Sequence, residues 1–217
     1  MSLTKVIWLA CALAAMAALL GFYFTAKKRM LRLSAKGGAT GAALATAVFC
    51  HLQGGSLPAG GIIIAAIALF VLADVLLDLK FLWGVAAFAL GHIALIFWLF
   101  EQQTALQLPL FTVLSFSAAA VLYALSAFFF RNPLRSIGKK AIALLLYAAV
   151  LALMTGSSLT LPHFAGIRYL PFTLGACLFM VSDLFVAQGI LVGMARKWHI
   201  LGMILYESAV LLMAISA

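Results

Sequence analysis

Runs of about 20 apolar residues recur from one end of the chain to the other, separated only by short polar loops. A segment of that length crosses the hydrocarbon of a bilayer, where every backbone N–H and C=O must be satisfied internally. Only helices and closed barrels meet that demand. A barrel would show strands of about ten residues alternating in polarity, and none is present. The chain therefore reads as all-α, a polytopic integral membrane bundle forming one domain over residues 1–217. Composition agrees, since 67% of residues are hydrophobic and 9% charged, against roughly 25% charged in soluble domains.

Eight transmembrane helices are expected, at residues 6–24, 38–53, 60–79, 82–100, 109–130, 140–158, 168–190 and 200–216. Loops are marked by Gly54-Gly55-Ser56-Leu57-Pro58, Arg131-Asn132-Pro133 and Leu161-Pro162-His163. Leu79-Lys80-Phe81 leaves room only for a tight hairpin between the third and fourth spans. The first run, Val6 to Phe24, is too long for a signal-peptide core and lacks a small-residue cleavage site, so it reads as a retained helix.

The net charge of +9 does not point to nucleic acid, because no basic module with interleaved aromatics accompanies it. Its cations sit in loops instead. Lys27, Lys28, Arg29, Arg32 and Lys36 fall in the first loop, Lys80 in the third, Arg131, Arg135, Lys139 and Lys140 in the fifth, and Arg196 and Lys197 in the seventh. Only Lys5 and Arg168 fall on the other side. Cations gather on the cytoplasmic side, so odd-numbered loops are placed inside and both termini outside.

Against that background the acids stand out. Asp74, Asp78, Asp183 and Glu207 lie within or at the end of apolar runs, where a carboxylate costs roughly 2.5–3.5 kcal/mol even on the lenient insertion scale. Glu101 falls at a span boundary. At about 1.5 Å of rise per residue, Asp74 lies roughly 7 Å from the cytoplasmic end and Asp78 near that end. Asp183, Tyr123, Tyr147, Tyr206 and Glu207 come out at about 10 Å, and His92 at about 15 Å. The outer half holds little beyond Thr, Ser and His51. A polar cavity open to the cytoplasmic side is expected.

Asp74 and Asp78, spaced i, i+4, share a helix face, and repulsion between them would hold one protonated. An acid beside its conjugate base is what proton transfer requires. Plainer readings stand beside these. Asp78 is also placed to be solvated or paired with Lys80, Glu207 to be a neutral hydrogen-bonded acid, and His92 to be a packing residue. Cys11, Cys50 and Cys177 lie inside apolar runs without metal-type spacing, and only His92 is at depth, so no metal or other cofactor is expected. Ser182, next to Asp183, has no histidine at a nucleophile's spacing.

At these residues the chain resembles the YhhN family of membrane lysoplasmalogenases. That family carries Gly-Asp on its third helix, an apolar run ending in His on the fourth and Ser-Asp on the seventh. The corresponding residues are Ala73-Asp74, Gly91-His92 and Ser182-Asp183; Tyr147 and Tyr206 match tyrosines on the sixth and last helices, and Lys36 and Thr40 a Lys-Pro and a following Thr. The chain departs from the pattern at Ala73 for Gly, at Gly37 for Pro, and in lacking a Tyr near His92 and a Gln on the last helix.

The resemblance implies hydrolysis of the vinyl-ether bond of a lysophospholipid to a fatty aldehyde and a glycerophospho-alcohol, by a multi-pass enzyme of the bacterial inner (cytoplasmic) membrane. Protonation of the vinyl β-carbon, then addition of water to an oxocarbenium ion, needs one acid and one anion, as in sugar hydrolysis. Asp74 and Asp183 are the expected pair, in either order, with Asp78 in support. His92, Tyr147 and Tyr206 would bond the substrate or water, Lys36 the phosphate, and Ser182, Tyr123 and Glu207 would line the site. Membrane lipid is the expected surrounding partner, and the sequence sets no oligomeric state. The rival readings are a small proton-coupled transporter and a metal-dependent lipid hydrolase.

Overall fold

A computed structural model describes residues 3–54, 60–106, 109–136, 138 and 140–217, which include no strand. Eight long helices run in the order α1 (Leu3–Thr25), α2 (Arg29–Leu52), α3 (Gly60–Leu79), α4 (Phe81–Leu106), α5 (Pro109–Ser136), α6 (Lys140–Leu159), α8 (Leu170–Leu191) and α9 (Arg196–Ala214). A single-turn helix, α7 (Leu161–Phe164), and a 3-10 turn at Ile167–Tyr169 join α6 to α8.

Seven of the long helices are long and apolar enough to cross a membrane, and α2 is the exception. Its 24 residues are ample in length, but it opens with Arg29, Arg32 and Lys36 and continues through the weakly apolar Gly37-Gly38-Ala39-Thr40-Gly41. The expected first loop is correspondingly shorter than its cations implied. Only residues 26–28 link α1 to α2, and the last three of those cations ride on the first turns of α2. Arg32 lies over the Tyr23 ring at 5.2 Å, whereas Lys36 turns into the protein.

Two other loop markers also prove helical. Arg131-Asn132-Pro133 continues α5, with Pro133 in its final turns. Leu161-Pro162-His163 forms α7, where Pro162 occupies a first-turn position whose N–H has no helical acceptor to lose. The hairpin at Leu79-Lys80-Phe81 is as tight as expected, with α3 ending at Leu79 and α4 starting at Phe81. Gly55–Pro58 and Lys139 lie outside the described residues.

Six helices close a ring in which α2 packs on α3, α3 on α4, α4 on α6, α6 on α8, α8 on α9, and α9 back on α2. The remaining two are outriggers. α1 lies against α2, with the Trp8 ring stacked on Phe49 at 4.4 Å, and α5 lies against α6. The ring is filled by an aromatic cluster: the Phe179 centroid lies 5.1 Å from Phe70, 6.0 Å from Phe88 and 5.3 Å from Tyr206.

Such close walls need small residues, because helices in lipid associate through packing rather than through expulsion of water. A Cβ at Gly91 would fall 2.5 Å from Phe70 Cε1 and 3.1 Å from the Ala66 carbonyl, so α4 meets α3 only because residue 91 has none. A Cβ at Gly175 would fall 2.8 Å from the Ala209 carbonyl, which sets the spacing of α8 and α9. Gly175→Ala is therefore expected to destabilise the protein by about 1–3 kcal/mol. Gly41→Ala, where a methyl meets nothing within 4 Å, is expected to be tolerated. Thermal unfolding in detergent distinguishes the two, and equal shifts would contradict the α8–α9 contact.

Candidate active site

One turn of α2 separates Lys36 from Thr40, so both project from the same helix face toward α3 and α9. There they meet Asp74, which is 1% exposed. Lys36 Nζ lies 3.2 Å from Asp74 Oδ1. The Thr40 hydroxyl donates to Asp74 Oδ2 at 2.5 Å, and the Tyr206 hydroxyl donates to the same oxygen at 2.8 Å. Three donors from two helices thus converge on one carboxylate from a third. That is the arrangement that holds a buried acid as an anion with its charge balanced. Glu207, the next residue on α9, lies behind this cluster, with Oε1 3.3 Å from Thr40 Oγ1.

A second cluster joins α4, α6 and α8. The Tyr147 hydroxyl donates to Asp183 Oδ2, and the same hydroxyl lies 3.4 Å from His92 Nε2. A phenol has one proton, and Asp183 takes it. His92 therefore donates from Nε2, which leaves Nδ1 as an unprotonated acceptor. Nδ1 indeed has no partner among the described residues and faces an aromatic pocket, with ring centroids 4.6 Å from Phe179 and 4.9 Å from Phe70. A bare acceptor there costs less than a bare donor, which rationalises the tautomer.

The two clusters share a cavity of about 130 Å³. Lys36, Asp74, Ser126, Tyr147, Ser182, Asp183 and Tyr206 form its polar wall. The rest is apolar, contributed by Leu77 of α3, Phe81, Val85 and Phe88 of α4, Ala127, Phe130 and Leu134 of α5, and Val186, Ala187 and Ile190 of α8. On α8 these residues are spaced i, i+3, i+4 and i+7 from Asp183, so one helix face carries the carboxylate and then an apolar strip.

Of the residues singled out from sequence, Asp74, Asp183, Tyr147, Tyr206, Ser182 and Lys36 border this cavity, and four do not. Asp78 is exposed at the end of α3, where the Arg29 guanidinium donates to its backbone carbonyl and its carboxylate feels the charges of Arg32 and Lys36. Asp74 has turned inward to Lys36, so the pairing that matters is acid with base rather than acid with acid. Tyr123 packs on the core from α5. His92 is fully buried behind Tyr147, and Glu207 behind Thr40. Lys36 lies 3.2 Å from Asp74 in place of the expected surface position. Thr40, the hub between Asp74 and Glu207, was not among the expected site residues. The available signals were its i+4 spacing from Lys36 and its match, with Lys36, to the family motif. Among the described residues no group of three or more His, Cys, Asp or Glu is arranged to hold a metal ion.

A bundle of membrane-spanning helices that encloses two carboxylates, a buried lysine and an apolar cavity defines a multi-pass membrane protein with an interior polar site. More narrowly, the sequence profile of the YhhN family matches residues 31–217, and the chain belongs to that family. No curated protein and no solved structure matches it.

Removing one partner of a buried ion pair strands the other charge, at a cost of about 3–5 kcal/mol. Lys36→Met is expected to destabilise the protein on that scale. Lys36→Met combined with Asp74→Asn is expected to recover about 0.5–3 kcal/mol relative to the sum of the single changes. Chemical or thermal unfolding across the double-mutant cycle measures the coupling, and strict additivity would mean that no such pair is made.

Proposed function

We propose that the protein is a membrane lysoplasmalogenase that hydrolyses the vinyl-ether bond of a single-chain ether lysophospholipid. The observation that carries this reading is the opening of Asp74 and Asp183 onto one cavity with otherwise largely apolar walls. The YhhN family, to which lysoplasmalogenase activity belongs as a general property, supports it.

The two acids have unequal surroundings, and their roles follow. Asp74 accepts from Lys36, Thr40 and Tyr206 and serves as the anion. Among the described residues Asp183 accepts from Tyr147 at Oδ2, which leaves Oδ1 available to carry a proton, so it serves as the acid. Asp183 protonates the vinyl β-carbon, and the positive charge that develops on the carbon bonded to oxygen is stabilised by the Asp74 carboxylate. Water adds to that carbon and yields its proton to Asp74. In the resulting hemiacetal, Asp183 takes the hydroxyl proton while Asp74 returns its proton to the departing glycerol oxygen. The C–O bond breaks, aldehyde and alcohol form, and both acids end as they began. Charges that face one cavity act strongly where apolar walls keep the local dielectric low.

The lipid chain would lie along the apolar strip of α8. α5 packs mainly on α6 and touches α8 only slightly, and Ile190 both lines the cavity and is 47% exposed. The gap between α5 and α8 thus offers a side entrance from the bilayer. With α2 counted as the eighth span and both termini outside, the site lies toward the cytoplasmic leaflet of the inner membrane.

Purified protein in detergent, with no ion gradient, is expected to release aldehyde from lysoplasmenyl lipid and to leave the matched acyl lysolipid intact. Asp74→Asn and Asp183→Asn are each expected to lose about 10²–10⁴-fold in rate, the usual worth of an acid or base. The double change Lys36→Met with Asp74→Asn restores charge balance and is expected to stay as inactive as Asp74→Asn alone. Full activity in either Asn variant, with the folded fraction matched by gel filtration, would sink the two-carboxylate mechanism. Absence of turnover together with gradient-driven uptake would favour a transporter.

Ile190→Trp enlarges the apolar strip about two turns of α8 away from Asp183. It is expected to raise KM for long-chain substrate about tenfold or more while leaving a short-chain substrate much less affected. Equal effects on both chain lengths would place the alkyl chain elsewhere.

A further inference from the structure

The Thr40 hydroxyl has one proton and three acceptors in reach. Asp74 Oδ2 is nearest at 2.5 Å, followed by Glu207 Oε1 at 3.3 Å and the Lys36 carbonyl at 3.5 Å. A hydroxyl donates once and accepts through its lone pairs. If Asp74 takes the proton, Glu207 must supply one of its own for the contact with Thr40 to be a hydrogen bond at all.

The charges in the cluster lead to the same assignment. Glu207 is 2% exposed, and its Oε2 has no hydrogen-bond partner among the described residues. The ammonium of Lys36 is already matched to Asp74. An ionised Glu207 would add a second buried negative charge with one oxygen bare and no cation in contact, whereas a neutral one leaves Lys36 and Asp74 as a balanced pair. The alternative puts the proton on Asp74 and reverses Thr40. Asp74 Oδ2 would then have to donate while also serving as acceptor for Tyr206, and the contact with Lys36 would lose its counter-charge.

We propose that Glu207 is a neutral acid that donates to Thr40 and thereby locks the single Thr40 proton onto Asp74. It is a positioning residue, acting on the Asp74 carboxylate through the line Glu207–Thr40–Asp74, and it borders no part of the cavity itself. The line can also move charge. If the Glu207 proton passes to Thr40 and the Thr40 proton to Asp74, one O–H bond breaks and one forms at Thr40, and the negative charge ends on Glu207. The assignment of protons rests on hydrogen-bond geometry alone, and only its kinetic consequence depends on the hydrolase reading.

Infrared difference spectroscopy of the intact protein in detergent tests it directly. The spectrum of the wild type minus Glu207→Gln is expected to show loss of one protonated-carboxyl C=O stretch with no loss of carboxylate bands. Wild type minus Asp74→Asn is expected to show the reverse, a lost carboxylate. A protonated-carboxyl band that survives Glu207→Gln and disappears in Asp74→Asn would overturn the proposal. In the kinetic arm, the Gln amide can still donate to Thr40 and Met cannot. Glu207→Gln is therefore expected to retain at least about tenfold more activity than Glu207→Met, mostly in kcat. Equal activity of the two variants would overturn the positioning role. If wild-type protein hydrolyses no vinyl ether, the functional reading fails while the infrared result still decides where the proton sits.

Discussion

The bundle is organised around the contact of Lys36 with Asp74. Either charge alone inside a membrane protein is costly, and together they are tolerable only with good geometry and with the remaining lone pairs satisfied. Satisfying them recruits α2 for the ammonium and the Thr40 hydroxyl, α3 for the carboxylate, and α9 for the Tyr206 hydroxyl. α2 and α3 are consecutive, but α9 lies far along the chain and must return to α2 for the cluster to form. Closure of the six-helix ring and neutralisation of the ion pair are therefore one event. A bundle that failed to bring α9 to α2 would leave Asp74 short of a donor.

This dependence explains the unusual character of α2. A helix meant only to span lipid would be apolar throughout, as α1 is from Val6 to Phe24. α2 instead places a cation on its inward face and follows it with glycine, alanine and threonine. Small residues let it approach closely, and a Cβ at Gly37 would already lie 3.1 Å from Val75. The price in hydropathy is visible, since α2 alone among the long helices is not apolar enough to count as a span by composition. Its burial comes from three neighbours, α1, α3 and α9.

The fold class and most helices were legible because length and apolarity are local properties, and α3 was placed to the residue. What sequence obscured was the meaning of polar residues at helix ends. Lys36 looked like part of a cytoplasmic loop because cations usually are, but a helix face can turn a charge inward wherever an acid waits for it. Pro133 and Pro162 looked like loop markers, and both are accommodated within helices. In the site, depth along the helices identified the layer but not the azimuth. Asp78, Tyr123, His92 and Glu207 share that layer with Asp74 or lie near it, yet none faces the cavity. Rotation about a helix axis is set by packing partners, and the ring order of the helices is not written in any local pattern. Thr40 was noted as a motif match but given no role for the same reason: a threonine in a small-residue run reads as packing until its neighbours across the bundle are known.

The two acids differ less in depth than in the company they keep. Among the described residues Lys36, Thr40 and Tyr206 donate to Asp74 and Tyr147 donates to Asp183, with Tyr147 in turn held by His92. His92 is fully buried against the rings of Phe70, Phe179 and Tyr147, so it orients the phenol without bringing a second charge. Had the histidine reached the cavity, it would have offered water and substrate a competing acceptor. Had Tyr147 been free to rotate, its proton could have gone to either neighbour. A site that must keep one carboxyl as an anion and leave the other open to a proton gains from this separation. The aromatic cluster of Phe70, Phe88 and Phe179 lies around His92 and beside Tyr206, so the filling of the ring also holds the two polar clusters in their places.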